Sequence, residues 1–223
     1  MRLSVNRLNK WYIYGAGGLG LETIDILQDA INVGAVDAHS ICFIEDQKTR
    51  NNFMGYPVCD LSEVERGSSV TVAVGEPQIR KLLRDKATHA GLVLKSIISP
   101  RAFVSSCSRI GEGSIIAPFC SVQARACIGG NVSVNSMTIV GHDVRVLEGA
   151  VLSSMVNLGG GAEIGEEAFI GMGALVKEKV TVGSQSIVAM GSVVFTDLPK
   201  EIIAVGNPAR VSRRNEEKKV FKG

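Results

Sequence analysis

The chain has 223 residues, 45% of them hydrophobic and 5% aromatic, and carries a formal net charge of +2 at pH 7. This length suits one large domain or two small ones, and the apolar fraction suffices for a folded core. So small a net charge argues against a nucleic-acid-binding protein, which needs a concentrated basic surface to neutralise phosphates.

Cysteine usage and hydropathy indicate the cellular setting. The five cysteines are scattered singly, with no Cys-x-x-Cys pair and no zinc-ligand spacing, which is typical of a reducing compartment and predicts no bound metal. The polar N-terminus lacks a signal-peptide core, and no apolar run approaches the roughly 20 residues of a membrane span. The sequence therefore predicts a soluble, cytoplasmic protein.

The first hundred residues alternate between short apolar runs and segments with helical spacing. In chain order, the sequence predicts a strand at 11–14, a helix at 21–31, strands at 40–44 and 70–74, a helix from 77 to about 90, and a strand at 92–94. Alternating β and α elements of this kind predict a small parallel sheet.

A glycine-rich turn joins the first predicted strand to the first helix. Gly15, Gly17 and Gly20 form a Gly-x-Gly-x-x-Gly pattern, in the setting where backbone N–H groups and a helix N-terminus bind phosphates. A tight turn without a ligand is the alternative. The region is too short for a six-stranded dinucleotide-binding fold, so a single mononucleotide-binding half is favoured. Glu45 and Asp46 close the second strand, where an acidic group commonly hydrogen-bonds a ribose or base edge.

From residue 98 the spacing of apolar residues changes to six. Seventeen consecutive aliphatic residues recur at every sixth position, and the residue four places after each of them, from Ser108 to Ser192, is small or β-branched. The aliphatic series is Ile98, Val104, Ile110, Ile116, Val122, Ile128, Val134, Val140, Val146, Leu152, Leu158, Ile164, Ile170, Val176, Val182, Val188 and Val194. Three hexapeptides form a triangular coil that returns the chain to its starting face about 4.8 Å higher. An ordinary sheet with alternating residues does not produce a period of six.

The predicted fold class is therefore a Rossmann-like α/β mononucleotide-binding domain followed by a left-handed parallel β-helix of hexapeptide repeats. The predicted boundaries are 1–97 for the front domain, 98–199 for the β-helix and 200–223 for a C-terminal basic tail. Proline and glycine residues at 197–199 and 206–208 end the repeat and signal a turn. The very end of the tail is expected to be mobile.

Six segments, in this order along the chain, resemble the sialic acid O-acetyltransferase-like sugar acyltransferases. This family includes the N-acetyltransferases of the bacillosamine, perosamine and viosamine type, which act on nucleotide-linked amino sugars. The segments are residues 14–20, 43–46, 55–58, 73–75 with 79–80, 140–143 and 205–210. The resemblance implies acetyl-CoA as co-substrate, no metal, and a homotrimer with active sites between neighbouring β-helices.

The predicted β-helix contains one histidine, His142, followed by Asp143. It follows a glycine at the start of a hexapeptide, so its side chain is expected to point outward. Acetyl transfer to an amine needs a base that titrates near neutrality, and a carboxylate can orient the imidazole. A solvated surface histidine is the alternative from the residues alone. The resemblance favours His142 as general base, supported by Asp143.

Three glycines lie one eighteen-residue coil after the start of the His142 hexapeptide. A backbone N–H there is a candidate donor to the thioester oxygen, and the resemblance points to Gly160 for this role and for binding CoA. Glycines that merely relax a corner are the alternative. The resemblance also implies main-chain contacts to CoA near Met172 and Met190, and the basic charge makes Arg210 a candidate contact to the CoA phosphates.

The resemblance further implies that the front domain binds the nucleotide-linked sugar. Its predicted substrate-binding residues are Gly15, Gly17, Gly18, Leu19, Glu45, Asp46 and Gly75. Two positions depart from the family pattern. Many relatives carry histidine at the position of Leu19, and some carry a second active-site histidine at the position of Val151.

The expected function is therefore acetyl-CoA-dependent N-acetylation of a nucleotide-linked 4-amino-4,6-dideoxy sugar. The expected mechanism is direct attack of the amine on the thioester, because no serine or cysteine pairs obviously with His142 as a nucleophile. Sugar O-acetylation of the sialic acid type is the alternative enzyme function, and a non-catalytic nucleotide-sensing scaffold is the alternative class. A zinc carbonic anhydrase is excluded, because its site needs three histidines around the metal.

Overall fold

The computed structural model describes residues 10–221, which form an α/β front domain and a triangular β-helix. The front domain contains β1 (Lys10–Tyr14), α1 (Gly18–Asn32), β2 (Ser40–Ile44), β3 (Asn52–Phe53), β4 (Tyr56–Cys59), a 3₁₀ helix (Leu61–Glu63), β5 (Ser69–Val72), α2 (Pro77–His89) and β6 (Val93–Leu94). Its sheet has the order β3-β4-β2-β1-β5-β6, and only the β3–β4 pair is antiparallel. The predicted parallel sheet is confirmed.

Two features of the front domain differ from the sequence prediction. Helix α1 begins at Gly18, three residues before the predicted start, because the glycine-rich turn runs directly into the helix. The β3–β4 hairpin was not predicted, since its two strands are short and its turn depends on left-handed backbone at Met54 and Gly55.

The β-helix consists of two-residue strands, each with one outward residue followed by one inward aliphatic residue. In chain order they are β7 (Ile97–Ile98), β8 (Phe103–Val104), β9 (Arg109–Ile110), β10 (Ile115–Ile116), β11 (Ser121–Val122), β12 (Cys127–Ile128), β13 (Ser133–Val134), β14 (Ile139–Val140), β15 (Arg145–Val146), β16 (Val151–Leu152), β17 (Asn157–Leu158), β18 (Glu163–Ile164), β19 (Phe169–Ile170), β20 (Leu175–Val176), β21 (Thr181–Val182), β22 (Ile187–Val188) and β23 (Val193–Val194).

Each strand from β7 to β20 pairs in parallel with the strand eighteen residues further along, as Val140 does with Leu158. The inward aliphatic residues are almost fully buried from Ile116 to Val194, and the small residues at the corners, such as Val144 and Ala162, are buried with them. The predicted hexapeptide register and eighteen-residue coil are therefore confirmed.

The three sides of the prism have different outer surfaces. We name them the covered face (β7, β10, β13, β16, β19 and β22), the open face (β8, β11, β14, β17, β20 and β23) and the charged face (β9, β12, β15, β18 and β21). Outward residues of the covered face, such as Ile115 and Val151, are buried. Those of the open face include the exposed Phe103 and Leu175, whereas Arg145 lies on the charged face.

The front domain packs on the covered face. At one side, Arg101 of the β-helix pairs with Asp29 of α1 at 2.9 Å. At the other side, Arg84 and Lys81 of α2 form ion pairs with Glu148 and Glu167, the latter at 2.6 Å. The front domain thus spans the whole width of this face.

Arg80 anchors α2 to the β-helix and is completely buried. Its guanidinium donates to Val72 O, Val74 O and Asn131 O at 3.0, 2.9 and 3.1 Å, and to Asn131 Oδ1 at 3.2 Å. Burial lowers the pKa of Arg80 to about 9, so the guanidinium remains protonated at neutral pH. All four acceptors are neutral, and together they tie the end of β5 to a corner of the β-helix.

After the last coil, β24 (Ile202–Val205) pairs in parallel with β22 and β25 (Arg210–Arg214) folds back antiparallel on β24. The following segment returns to the front domain. There the amides of Val220 and Phe221 donate to Glu76 Oε2 at 2.9 and 3.1 Å, and the Phe221 ring meets Phe169 edge-on at 5.6 Å. The predicted mobile end of the tail and the signal-free N-terminus lie outside the described residues.

No helix within residues 10–221 is long and apolar enough to cross a membrane. The predicted boundaries at 97/98 and 199/200 stay predictions.

Candidate active site

His142 lies at the edge of the prism where the open face meets the charged face. We call this the histidine edge and define it by the turns 123–126, 141–144 and 159–162. In a triangular prism this edge is opposite the covered face, so it lies on the other side of the β-helix from the front domain. The His142 side chain is 64% exposed, as the outward direction predicted from its hexapeptide position requires.

The imidazole is held by a carboxylate that is itself held by an arginine. His142 Nδ1 lies 2.7 Å from Asp143 Oδ2. Arg125 Nε and Nη2 donate to the two oxygens of Asp143 at 2.6 and 2.7 Å. The Arg125 and His142 hydrogen bonds hold the pKa of Asp143 well below its usual range. Asp143 is therefore a carboxylate at neutral pH and accepts both hydrogen bonds.

Arg125 is a site residue that the sequence prediction missed. It lies eighteen residues before Asp143 and occupies the same turn position on the preceding coil, with φ values of 60° and 61° at the two residues. The coil spacing that located Gly160 above His142 would also have located Arg125 below Asp143.

This arrangement leaves one imidazole nitrogen free for chemistry. A carboxylate only accepts hydrogen bonds, so the neutral imidazole must carry its proton on Nδ1 and donate it to Asp143. The lone pair on Nε2 is then available to accept a proton from a substrate, which is the orientation that a general base needs.

Gly160 lies directly against the His142 ring. A Cβ atom at Gly160 would come within 2.5 Å of Nε2 and 2.6 Å of Cε1, so only glycine fits above the ring in its present position. The N–H groups of Gly159 and Gly161 donate to Val176 O and His142 O at 2.8 Å, but that of Gly160 has no acceptor within residues 10–221. The predicted oxyanion donor is thus a free N–H next to the imidazole.

The predicted CoA contacts lie along the same open face, but at its other edge. Met172 and Met190 belong to turns where the covered face meets the open face. Three further large apolar residues lie along this edge on earlier coils. Together with Met172 and Met190 they make five side chains, each about half exposed or more. We call them the methionine edge: Phe119, Met137, Met155, Met172 and Met190. Arg210 begins β25 directly after Ala209, whose N–H donates to Val193 O of the open face at 2.8 Å, and its contact with the CoA phosphates stays a prediction.

In the front domain, the glycines of the predicted phosphate-binding turn have separable roles. Gly15 has φ of 113°, and a Cβ there would meet Val74 and Ala73, while a Cβ at Gly20 would lie 2.3 Å from Gly15 O. These two glycines permit the tight turn and the close packing of α1 on the sheet. Gly17 and Gly18 have no atom within 4 Å of a Cβ position, so they face open space at the start of α1. Leu19 packs instead against the core.

Glu45 and Asp46 point to different sides of the sheet. Glu45 faces the glycine-rich turn, where Arg50 pairs with it and donates to Ala16 O at 2.8 Å. Arg50 was not identified from the sequence, because its contact depends on the loop after β2. Asp46 is held on the α2 side by Lys86 at 2.5 Å and by the Tyr14 hydroxyl. The structure therefore brings Glu45, but not Asp46, to the glycine-rich turn.

The remaining predicted front-domain residue, Gly75, follows β5 at the same carboxyl edge of the sheet. The ring of Phe221 covers it, with an atom 3.4 Å from its Cβ position. We call the space bounded by the glycine-rich turn, Glu45 and Gly75 the front crevice, because ligands of open parallel sheets bind at the carboxyl ends of the strands. Val151, where some relatives carry a second histidine, is buried on the covered face beneath this domain.

Among the residues that the structure describes, no group of three or more His, Cys, Asp and Glu side chains is arranged to hold a metal ion.

Comparison with known proteins identifies the family. A family model described as the PglD N-terminal domain matches residues 10–87. The acetyltransferase domain of PglB from Neisseria gonorrhoeae FA1090, in complex with acetyl coenzyme A, is 32% identical, with a TM-score of 0.84 over 91% of this chain and 98% of that chain. PerB from Caulobacter crescentus, in complex with CoA and GDP-perosamine, is 31% identical, with a TM-score of 0.81 over 91% of this chain and 97% of that chain. The chain belongs to the sugar acyltransferase family.

A curated relative is also similar to the chain, but over a smaller part of its length. The GDP-perosamine N-acetyltransferase of Escherichia coli O157:H7 is 29% identical over 126 residues, or 55% of this chain, and the match spans 57% of that relative. The predicted family and fold class are confirmed by the solved structures, which align with both the front domain and the β-helix.

Proposed function

We propose that this sugar acyltransferase transfers an acetyl group from acetyl-CoA to the amine of a nucleotide-linked 4-amino-4,6-dideoxy sugar. The observation that carries the proposal is the pair formed by His142, held by Asp143, and the free N–H of Gly160 beside its ring. The relatives support the substrate classes, since one binds acetyl coenzyme A and another binds CoA with GDP-perosamine.

The mechanism follows from the positions of these groups. His142 Nε2 accepts a proton from the sugar amine, while Asp143 accepts the Nδ1–H and stabilises the imidazolium that forms. The amine nitrogen bonds to the thioester carbon, and the Gly160 N–H donates to the oxygen that becomes negative. When the C–S bond breaks, the imidazolium returns the proton to the leaving thiolate. No acyl-enzyme forms, and recovery of an acetylated side chain would contradict this.

The front domain is proposed to hold the nucleotide. Gly17 and Gly18 leave the N-terminus of α1 accessible, and this helix has neither a side-chain cap nor an acidic residue in its first turn. Such an end has unpaired N–H groups and a partial positive charge, which suit a diphosphate. Glu45 is in place to accept hydrogen bonds from a ribose or a base.

Two copies of the chain are proposed to share each active site, within a homotrimer. The front crevice lies on the covered side of the prism and His142 on the opposite edge, so one chain cannot bring both to one substrate. The open face offers a surface for self-association, because Phe103, Ile139 and Leu175 are exposed beside the methionine edge. The same edge would line the CoA arm between neighbouring β-helices.

A cytoplasmic location stays a prediction. Its support is that the five cysteines are free in the described structure.

The function is tested by assaying acetyl transfer from acetyl-CoA to UDP-, GDP- and dTDP-linked 4-amino-4,6-dideoxy sugars, with free sialic acid as the comparison acceptor. We expect turnover with at least one nucleotide amino sugar, and a product that carries an amide. Turnover with sialic acid alone would assign O-acetylation instead, and no turnover with any amino sugar would overturn the proposal.

A further inference from the structure

Arg125 and Asp143 occupy equivalent turn positions on successive coils of the histidine edge. The guanidinium forms two nearly parallel hydrogen bonds, one to each carboxylate oxygen, at 2.6 and 2.7 Å. Such a fork fixes the plane of the carboxylate, which a single hydrogen bond does not. The oxygen that bonds to Arg125 Nη2 is also the oxygen that faces His142 Nδ1.

We propose that Arg125 is a positioning residue for the acetyl transfer. By fixing the Asp143 carboxylate it keeps the His142 proton on Nδ1 and directs Nε2 towards the substrate amine. This inference rests on the proposed function, since the proton acceptor it positions is the proposed general base.

Stability alone does not account for this pair. The Arg125 side chain is 70% exposed, and an exposed ion pair contributes little to folding stability. Both residues also have left-handed backbone, a conformation that favours glycine.

A neighbouring ion pair offers a matched comparison. Arg145 and Glu163 are also eighteen residues apart on successive coils, and they form a salt bridge on the charged face. Arg145 has similar exposure to Arg125, at 65% against 70%, but its partner does not contact His142. Loss of either arginine removes one exposed coil-to-coil salt bridge, whereas only loss of Arg125 frees the carboxylate that orients the imidazole.

Arg125 also brings a positive charge to the His142–Asp143 pair. From the coil below, Arg125 faces the His142–Asp143 pair, and the turn above it, residues 159–161, has no titratable side chain. Lys179 lies one coil further up, and the Arg145–Glu163 pair is on the adjoining face. Arg125 is thus the cation that offsets the Asp143 charge from the coil below.

The test compares Arg125→Gln and Arg125→Lys with the control Arg145→Gln. Arg125→Gln should lower kcat about tenfold, because small misplacements of a catalytic group are costly, and should leave the KM for acetyl-CoA within about twofold. Arg125→Lys keeps the charge but loses the fork. It should lose a similar share of kcat, because an ammonium group cannot form the two hydrogen bonds that fix the carboxylate plane. Arg145→Gln should change neither quantity.

A second readout does not depend on turnover. The chain has three histidines, so the imidazole nitrogens of His142 can be resolved by ¹⁵N NMR once His142→Asn assigns them. We expect a proton on Nδ1 in the wild type and in Arg145→Gln, and a mixture of tautomers in Arg125→Gln. An unchanged tautomer together with wild-type kcat in Arg125→Gln would overturn the positioning role. Absence of acetyl transfer in the wild type, with the tautomer still dependent on Arg125, would instead reject the proposed function.

Discussion

The covered face and the histidine edge of the same β-helix are built in opposite ways. Outward residues of the covered face are mostly apolar and buried, and Arg80 joins a corner of this face to the front domain through neutral acceptors. The histidine edge is exposed and charged, with Arg125, His142 and Asp143 linked side by side. The covered face therefore holds the front domain in place. The histidine edge exposes its charged side chains to molecules outside the chain.

This contrast has a consequence for function. The front crevice is fixed on the covered side, and the proposed base faces away from it. Because the prism holds the two apart within one chain, we propose that each active site draws on a second copy. Changes confined to one side of the prism test this contrast.

The largest effect is expected at His142 itself. His142→Ala removes the proposed proton acceptor and should lower kcat about 10³-fold, within the range that general bases contribute. Far-UV circular dichroism and the Kd of acetyl-CoA should remain as in the wild type, because the side chain is exposed and buries little surface. An unchanged rate would remove His142 from the mechanism.

Gly160→Ala should have the next largest effect. The added methyl group would lie 2.5 Å from His142 Nε2, so the imidazole must move, and we expect a fall in kcat of about 10²-fold. The turn itself tolerates a side chain, since His142 occupies the equivalent position one coil below. In a His142→Ala background the same substitution should therefore cost little further activity. Equal losses in both backgrounds would show that Gly160 acts without the histidine.

On the covered side, Arg80→Met should destabilise the fold by about 2–4 kcal/mol in the free energy of unfolding. The variant leaves four buried carbonyl oxygens without their donor and removes the link to Asn131. Denaturant unfolding measures this loss. The control Arg84→Met removes two partly exposed ion pairs of the same helix, with Asp85 and Glu148, and should cost less than about 1 kcal/mol. Similar losses in both variants would contradict the anchoring role.

The smallest effect concerns Glu167, which joins α2 to the β-helix. Burial raises its pKa, but hydrogen bonds from Lys81, Gln185 and Gln78 outweigh burial, so the pKa is lowered overall. Its folded pKa thus lies below the unfolded value of about 4.3, and its contribution is present above that pH and lost as the pH falls through the folded value. Between pH 6 and 3, the wild type should therefore lose more unfolding free energy than Glu167→Gln. Parallel pH curves would contradict this.

The β-helix is the part of the molecule that the sequence predicts most fully, because it is a regular repeat. The period of six predicts every strand from β7 to β23, and its eighteen-residue coil places the run of three glycines that contains Gly160 above His142. The same arithmetic would have located Arg125. In a β-helix, spacing along the chain is converted directly into position, because each coil stacks on the last with no change of register.

The front domain was predictable only at the level of its elements. Glu45 and Asp46 point to different sides of the sheet. Their directions depend on where β2 ends and on partners from distant loops and helices. The burial of Arg80 depends on Asn131, which is 51 residues away in the chain. Such contacts are set by tertiary packing, for which a single sequence holds no periodic signal.

The shared active site is the central claim, and complementation between two inactive variants tests it most directly. His142→Ala keeps the front crevice, while Gly17→Trp keeps the histidine edge and fills the open space where the nucleotide is proposed to approach. The two variants are unfolded together, mixed in equal amounts and refolded into mixed trimers. If each site takes His142 from one copy and the front crevice from its neighbour, random assembly restores about one quarter of the wild-type activity. A mixture that stays as inactive as its parents, although mixed trimers have formed, would contradict the account.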